Sequence, residues 1–379
     1  MTVELRPSVR RSAEREGLHR AGLFYRSEHW LFSKKTPSTA TMSTIKAYAA
    51  TAAGKPLEPF EFDPGALGDE QVEIAVSHCG MCHSDLSMWE NGWGFTAYPF
   101  VPGHEVVGTI VAAGDHVKKV KVGQRVGLGW YSQSCMACPQ CLGGDHNLCA
   151  TVEGTIVHRH GGFADRVRCH WAWAAVLPEG LDPAKAGPLF CGGITVFNPL
   201  VQFGVQPTDR VGVVGIGGLG HLALKFLRAW GCEVTAFTSS ESKREEAFRF
   251  GAHHVINSRD SAQLGKIAGS LNFILSTVNA TMDWQALIGA LAPRGRLHTV
   301  GAIAEPVSLA AFPLLAGQKS FSGSPLGSPA TTQTMLEFCA RHGIAPTAEF
   351  FPMSRVNDAF EHLHAGKARY RIILENDLA

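Results

Sequence analysis

The sequence predicts an α/β protein made of a mostly β domain and a doubly wound parallel sheet, and three observations carry that expectation. Short β-like runs such as VEIAVSHCG and EVVGTIVAAG, set apart by glycines and prolines, fill the chain to about residue 190. From there to about residue 328 the rhythm changes to apolar strands alternating with helical patterns. A glycine-rich turn follows the first of those strands and opens a helix.

Taken in order, residues 1–41 scatter arginines and lysines among Ser, Pro and Glu with little apolar periodicity, so a disordered extension is expected, and Met42 is a possible true start. Residues 42–190 form the β domain. Residues 191–328 read as VGVVG, HLALKFLRAWG, EVTAFT, a charged helix to Phe250, HHVIN, NFILSTVN, WQALIGALA and RLHTVG. Residues 329–379 add a helix, MLEFCARHG, and a strand, YRIILE, and are expected to return to the first domain, leaving a cleft between the two.

With 379 residues, 45% of them hydrophobic and 18% charged, the chain can fill two cores. A formal charge of +1 and the absence of a long basic run give no reason to expect nucleic acid, and a small, weakly charged substrate fits better. No apolar run reaches eighteen residues and no apolar segment follows a basic start, so neither a membrane span nor secretion is expected. Ten cysteines are too few for a disulfide scaffold of this length, and six lie in metal-like contexts, which points to a reducing, cytoplasmic setting. Cys79, Cys169, Cys232 and Cys339 read as buried free thiols.

The turn Gly215-Ile216-Gly217-Gly218-Leu219-Gly220 follows the strand Val211 to Val214 and opens a helix with apolar residues at Leu219, Leu222, Ala223, Phe226, Leu227 and Trp230. Such glycines let backbone amides approach a pyrophosphate at the positive end of a helix, so Gly215, Gly217, Gly218, Leu219 and Gly220 are expected to bind a dinucleotide. The end of the next strand decides which one. A carboxylate there suits the ribose hydroxyls of NAD, whereas this chain offers Thr238, Ser239 and Ser240 with Lys243 and Arg244 beyond. Hydroxyls and cations suit the 2′-phosphate of NADP. The competing possibility is that Glu241 contacts the ribose while the two cations merely face solvent.

Cys135, Cys138, Cys141 and Cys149 have the spacing C-x2-C-x2-C-x7-C in a Gly/Pro-containing loop, which suits a closed, four-thiolate structural zinc site, with an iron–sulfur cluster the rival reading. Cys82, His104 and Cys191 are each unremarkable alone. Together they supply the two thiolates and one imidazole of a catalytic zinc that keeps a fourth position open.

In the order GMCHSD, PGHEVVG, the four-cysteine loop, LFCGGITVF and GIGGLG, from about residue 44 onward, the sequence resembles the zinc-dependent medium-chain alcohol dehydrogenases, most of all their cinnamyl alcohol dehydrogenase and bacterial aldehyde reductase branch. The resemblance implies a GroES-like catalytic domain, a Rossmann domain, a homodimer, and NADP(H)-dependent interconversion of aldehydes and primary alcohols. It places zinc on Cys82, His104 and Cys191, with Glu105 an occasional ligand or a partner of one. Ser84 would pass a proton to the reacting oxygen, Asp85 would orient a ligand imidazole, and Thr195 would contact the cofactor. Many relatives carry a histidine five residues after the cysteine ligand to finish the proton relay; Ser87 stands there in this chain. Trp89, Trp93, Phe95 and Tyr98 favour apolar or aromatic aldehydes if they face the cleft, and core packing is the alternative. Two other functions compete: an NAD-dependent polyol or secondary alcohol dehydrogenase of the same fold, and a non-catalytic NADPH-binding protein. The physiological aldehyde and the favoured direction stay open.

Overall fold

The computed structural model describes residues 44–378, and the extension expected over residues 1–41 lies outside them. The first domain is organised around the strand Gln71–Met81, where Val72, Ile74 and Val76 alternate inward as a period of two requires. That strand pairs antiparallel with Val106–Ala113, Arg166–His170 and the C-terminal strand Arg371–Glu375. Its core adds Ile110, Val126, Leu128, Phe163 and Ile372, all fully buried. Glu73, on the same strand, is buried because Arg166 and Arg168 reach its carboxylate at 3.2 and 2.7 Å.

The second sheet is parallel throughout. Its strands Arg210–Val214, Glu233–Thr238, His254–Asn257, Leu271–Ser276, Leu291–Thr299 and Ser320–Gly323 are ordered third, second, first, fourth, fifth, sixth in space. The order reverses beside Arg210–Val214, and it is at such a reversal that doubly wound sheets open a crevice for a ligand. Helix Gly220–Trp230 leaves that strand, buries Leu222, Ala223, Phe226 and Leu227, and stops at Gly231, whose φ of +106° ends the helix.

Two boundaries differ from the sequence pattern. The helix Trp284–Ala290 stops before the apolar Leu291 and Ala292, which already belong to the next strand. Pro293 and Gly295 then break the periodicity, and the pairing register shifts beside them. Helix Pro329–His342 packs on helix Gly192–Gln202, with Met335, Leu336 and Cys339 in one cluster with Ile194, Phe197 and Phe226. The chain rejoins the first sheet through the strands Ala348–Pro352 and Arg371–Glu375. Cys79, Cys169, Cys232 and Cys339 are buried free thiols. No helix among the described residues is long and apolar enough to cross a membrane.

Candidate functional site

Cys82 directly follows the strand Gln71–Met81 and caps the short helix His83–Trp89, so the fold places its sulfur at a sheet end. Its Sγ lies 3.1 Å from His104 Nε2 and 4.0 Å from Cys191 Sγ. Donor atoms of Cys82, His104, Glu105 and Cys191 all fall within 4.8 Å of one another. Asp85, fully buried, accepts hydrogen bonds from Cys82 N at 3.0 Å, Gly103 N at 2.9 Å and His104 Nδ1 at 3.0 Å. With the proton on Nδ1, the lone pair of Nε2 faces the thiols.

Glu105 is fully buried, and its Oε1 accepts from Arg371 while Oε2 has no hydrogen-bond partner. Burial pushes its carboxyl up to about 7, against the pull of Arg371. Burial would also raise the Cys82 thiol, but the Cys191 hydrogen bond and the charge of His104 hold it well below its ordinary value. Two thiols, an oriented imidazole and a carboxylate with an orphaned oxygen make a donor set suited to a zinc ion. A second group, Cys135, Cys138, Cys141 and Cys149, also converges within 4.8 Å. Cys138 caps the turn Pro139–Leu142, and its own N–H donates to Cys135 Sγ at 3.3 Å. Four thiols without a carboxylate or imidazole suit a closed structural site.

The glycine turn follows Val214 directly. Gly215 has a φ of +86°, and a Cβ on Gly220 would stand 1.8 Å from the carbonyl oxygen of Gly215, so both positions require glycine. Nothing lies within 4 Å of a Cβ built on Gly217, which leaves its backbone open to a ligand. A Cβ built on Gly218 would stand 3.0 Å from Arg371 Nη1, so this arginine packs against the turn while it donates to the carboxylate of the metal cluster. Leu219 precedes the helix, and Thr195 is buried one turn beyond Cys191.

Beyond the second strand the expected residues separate. Ser239 is exposed and borders a cavity, and Ser240 Oγ bonds Ser242 Oγ at 2.8 Å. Lys243 turns back to the glycine turn, where Nζ donates to Ile216 O at 2.9 Å and lies 5.9 Å from the Tyr370 ring. Arg244 Nε is 3.9 Å from the exposed Glu241 carboxylate.

The aromatic residues also divide. Trp89 packs on Phe360, and the Tyr98 hydroxyl donates to Trp89 O at 3.0 Å, so these two serve the core side. Trp93 and Phe95 are partly exposed and stacked, and Trp93 meets Trp130 edge to face. Trp130 in turn meets His104 with ring centroids 4.9 Å apart. Trp130, Arg371 and His221 belong to no motif. An arginine opening an otherwise apolar strand is the one signal that marks Arg371 in the sequence.

Family models match two stretches of the chain: an alcohol dehydrogenase GroES-like domain over residues 68–179 and a zinc-binding dehydrogenase over 218–341. Aldehyde reductase AdhA of Synechocystis sp. is 56% identical over 332 residues, 88% of this chain and 99% of its own. Among solved structures, a cinnamyl alcohol dehydrogenase from Sorghum bicolor aligns with TM-score 0.84 at 38% identity, covering 88% of this chain and 98% of that one. A CAD from Helicobacter pylori complexed with NADP(H) aligns with TM-score 0.81 at 30% identity, covering 88% and 98%.

Proposed function

The chain belongs to the zinc-binding alcohol dehydrogenases with a GroES-like domain, in their cinnamyl alcohol dehydrogenase and aldehyde reductase branch, and from that premise we propose that it interconverts aldehydes and primary alcohols with NADP(H). One observation carries the reading: Arg371 joins the donor cluster of Cys82, His104, Glu105 and Cys191 to the glycine turn. A carbonyl held at the first would therefore lie beside a dinucleotide held at the second. The NADP(H) complex of the Helicobacter pylori relative and the hydroxyls at the end of the second strand support the phosphorylated cofactor.

Cys82, His104 and Cys191 would hold a zinc ion, which would supply Lewis-acid polarisation of a carbonyl, and a bound nicotinamide would supply the hydride. Asp85 keeps His104 in one tautomer and ties Gly103 and Cys82 to the same carboxylate. Ser84 N–H donates to Cys82 Sγ at 3.2 Å, which keeps this residue beside the cluster, and its hydroxyl would donate the proton that the product oxygen needs. Glu105 is the reserve donor, through its unpartnered oxygen. Trp130 meets His104 and is met in turn by Trp93, itself stacked on Phe95, so apolar rings gather beside the donor cluster, which supports aromatic or medium-chain aldehydes over sugars. Cys135, Cys138, Cys141 and Cys149, whose sulfurs converge within 4.8 Å, would hold a second, structural zinc.

In this reading residues 42–190 and 329–379 form the catalytic domain and 191–328 the cofactor domain, with helix Pro329–His342 packed on the cofactor side. A homodimer is supported by the helix Ala311–Gly317, which exposes Phe312 and Leu315 beside the edge strand Ser320–Gly323. Ten free thiols support a cytoplasmic setting. The test is the initial rate of NADPH oxidation with cinnamaldehyde or a medium-chain aldehyde, run beside NADH and beside NAD-linked mannitol oxidation, with sedimentation of the same sample. Turnover with NADPH well above NADH, in a particle of twice the 40.7 kDa chain, is expected. Preference for NADH, or faster polyol oxidation, would overturn the substrate and cofactor assignment.

A further inference from the structure

Residues 324–328 cross from the strand Ser320–Gly323 to the helix Pro329–His342. The ends of this crossing are fastened locally: Ser324 Oγ lies 2.9 Å from His298 Nε2, and Ser328 Oγ accepts from Thr331 N at 3.3 Å. Its middle is held from a distance. Residues 325–327 make no backbone–backbone hydrogen bond among the described residues, and Leu326 O accepts instead from two side-chain amides, Asn147 Nδ2 at 3.1 Å and Asn198 Nδ2 at 3.5 Å. Asn198 belongs to the helix Gly192–Gln202, which follows Cys191, and Asn147 belongs to the four-cysteine lobe.

Asn147 is buried in the one-turn segment His146–Leu148, between Cys141 and Cys149. Cys149 N donates to His146 O at 3.2 Å, and His146 Nδ1 lies 3.1 Å from the hydroxyl of Ser134, the neighbour of Cys135. The segment is thus tied to both ends of the lobe, and a metal ion closing the four sulfurs would hold Asn147 in place. Leu326 and Gly327 in turn wall a cavity of about 20 Å³ together with Trp130, Trp173 and Ile194. A Cβ built on Gly327 would stand 2.8 Å from Ile194 Cδ1, so the crossing lies tight on the helix that follows Cys191. A space of that size holds about one water and cannot absorb a displaced leucine, so a shift of Leu326 passes to the Trp130 ring, which meets His104.

We propose that the four-cysteine lobe positions the aldehyde side of the site, with Asn147 as its positioning residue: the amide clasps Leu326 and so fixes the wall behind Trp130. The consequence for substrate rests on the aldehyde reading above and deepens it, whereas the clasp stands on the contacts of Leu326.

The test compares the wild type with Asn147→Asp, where an acceptor replaces the donor at similar volume, with Asn147→Ala, and with Asn198→Ala, which frees the same carbonyl without touching the lobe. Leu142→Ala, exposed on the lobe, is the control. Zinc per chain, hydrogen exchange of peptides covering residues 324–332, and KM and kcat with cinnamaldehyde and NADPH are measured for each. Exchange of the crossing is expected to accelerate by about fivefold in Asn147→Asp, the scale of one buried hydrogen bond, and by less in Asn198→Ala, with zinc content kept. KM for cinnamaldehyde should rise by a similar factor while kcat and NADPH affinity hold, since the reacting atoms keep their donors. Unchanged exchange in both Asn147 variants overturns the inference. Faster exchange that comes with zinc loss, while Asn198→Ala is silent, overturns it as well, because Asn147 would then only hold the lobe together. A lowered kcat with KM unmoved removes the aldehyde side from the proposal. A wild type that turns over no aldehyde overturns the aldehyde reading and the substrate consequence with it, and exchange then decides the clasp.

Discussion

Asp85 shows how much one buried side chain can organise. Its two oxygens accept from two backbone amides and one imidazole, contacts that tie the strand end, the loop at Gly103 and a metal donor together. In Asp85→Asn one accepting oxygen becomes an NH2 group facing N–H donors, and a buried donor left unpaired costs about 1–3 kcal/mol. Zinc affinity and kcat/KM should each fall by about 10–100-fold, the range for losing a group that orients a ligand histidine. Competition with a chromogenic chelator, run beside steady-state rates, checks this; unchanged affinity with a lowered rate would move Asp85 from holding the metal to the proton path. Asp85 is legible in the sequence because it shares the motif GMCHSD with Cys82. Arg371 and Trp130 are not, since each meets the site only through strand pairing or ring packing with distant residues.

At the level of the element, the glycine turn is set by backbone approach. The Gly220 Cβ position collides with a carbonyl of its own turn, and that oxygen belongs to backbone, which cannot swing away as a side-chain tip can. Gly220→Ala should therefore either push helix Gly220–Trp230 off the strand or distort Gly215. A loss of about 1–3 kcal/mol in stability is expected, as for other forced overpacking, together with weaker binding of either dinucleotide. Thermal unfolding with and without NADPH measures both; unaltered stability and binding would mean that the turn is looser than the structure shows. Gly217, with open space around it, should tolerate alanine in the free protein and reveal its cost only when a dinucleotide is bound.

Across the whole molecule, His221 links the two domains. From helix Gly220–Trp230 its Nδ1–H donates to Gly217 O at 3.1 Å, its Nε2 accepts from Thr347 N at 3.2 Å, and its ring stacks on Tyr370 at 5.0 Å. These bonds need the neutral imidazole, and burial, helped by Lys225, pushes its pKa down to about 3. The folded value lies below the unfolded one, near 6.5, so the stabilisation is complete above pH 6.5 and is lost as pH falls toward 3. His298, held by Ser322 and Ser324 and lowered by burial to about 4, acts in the same sense. Denaturant melts at pH 7 and pH 5 should show stability falling by up to about 1.4 kcal/mol per pH unit for each such histidine below 6.5. His221→Gln should be less stable at pH 7 but less sensitive to acid; an identical slope in the variant would remove His221 from this account. By itself the sequence determined the α/β class, the glycine turn and the spacing of the four-cysteine set, because each rests on short spacing or on periodicity that local geometry must obey, whereas Cys82, His104 and Cys191, 109 residues from first to last, and Asp85 were legible only through the order of motifs that resembles the family. Only the tertiary structure decided that Arg371 bridges metal donors and turn and that Lys243 faces Ile216. Those contacts depend on which strands lie side by side and on where long side chains find partners, and neither is encoded in the spacing of any one segment.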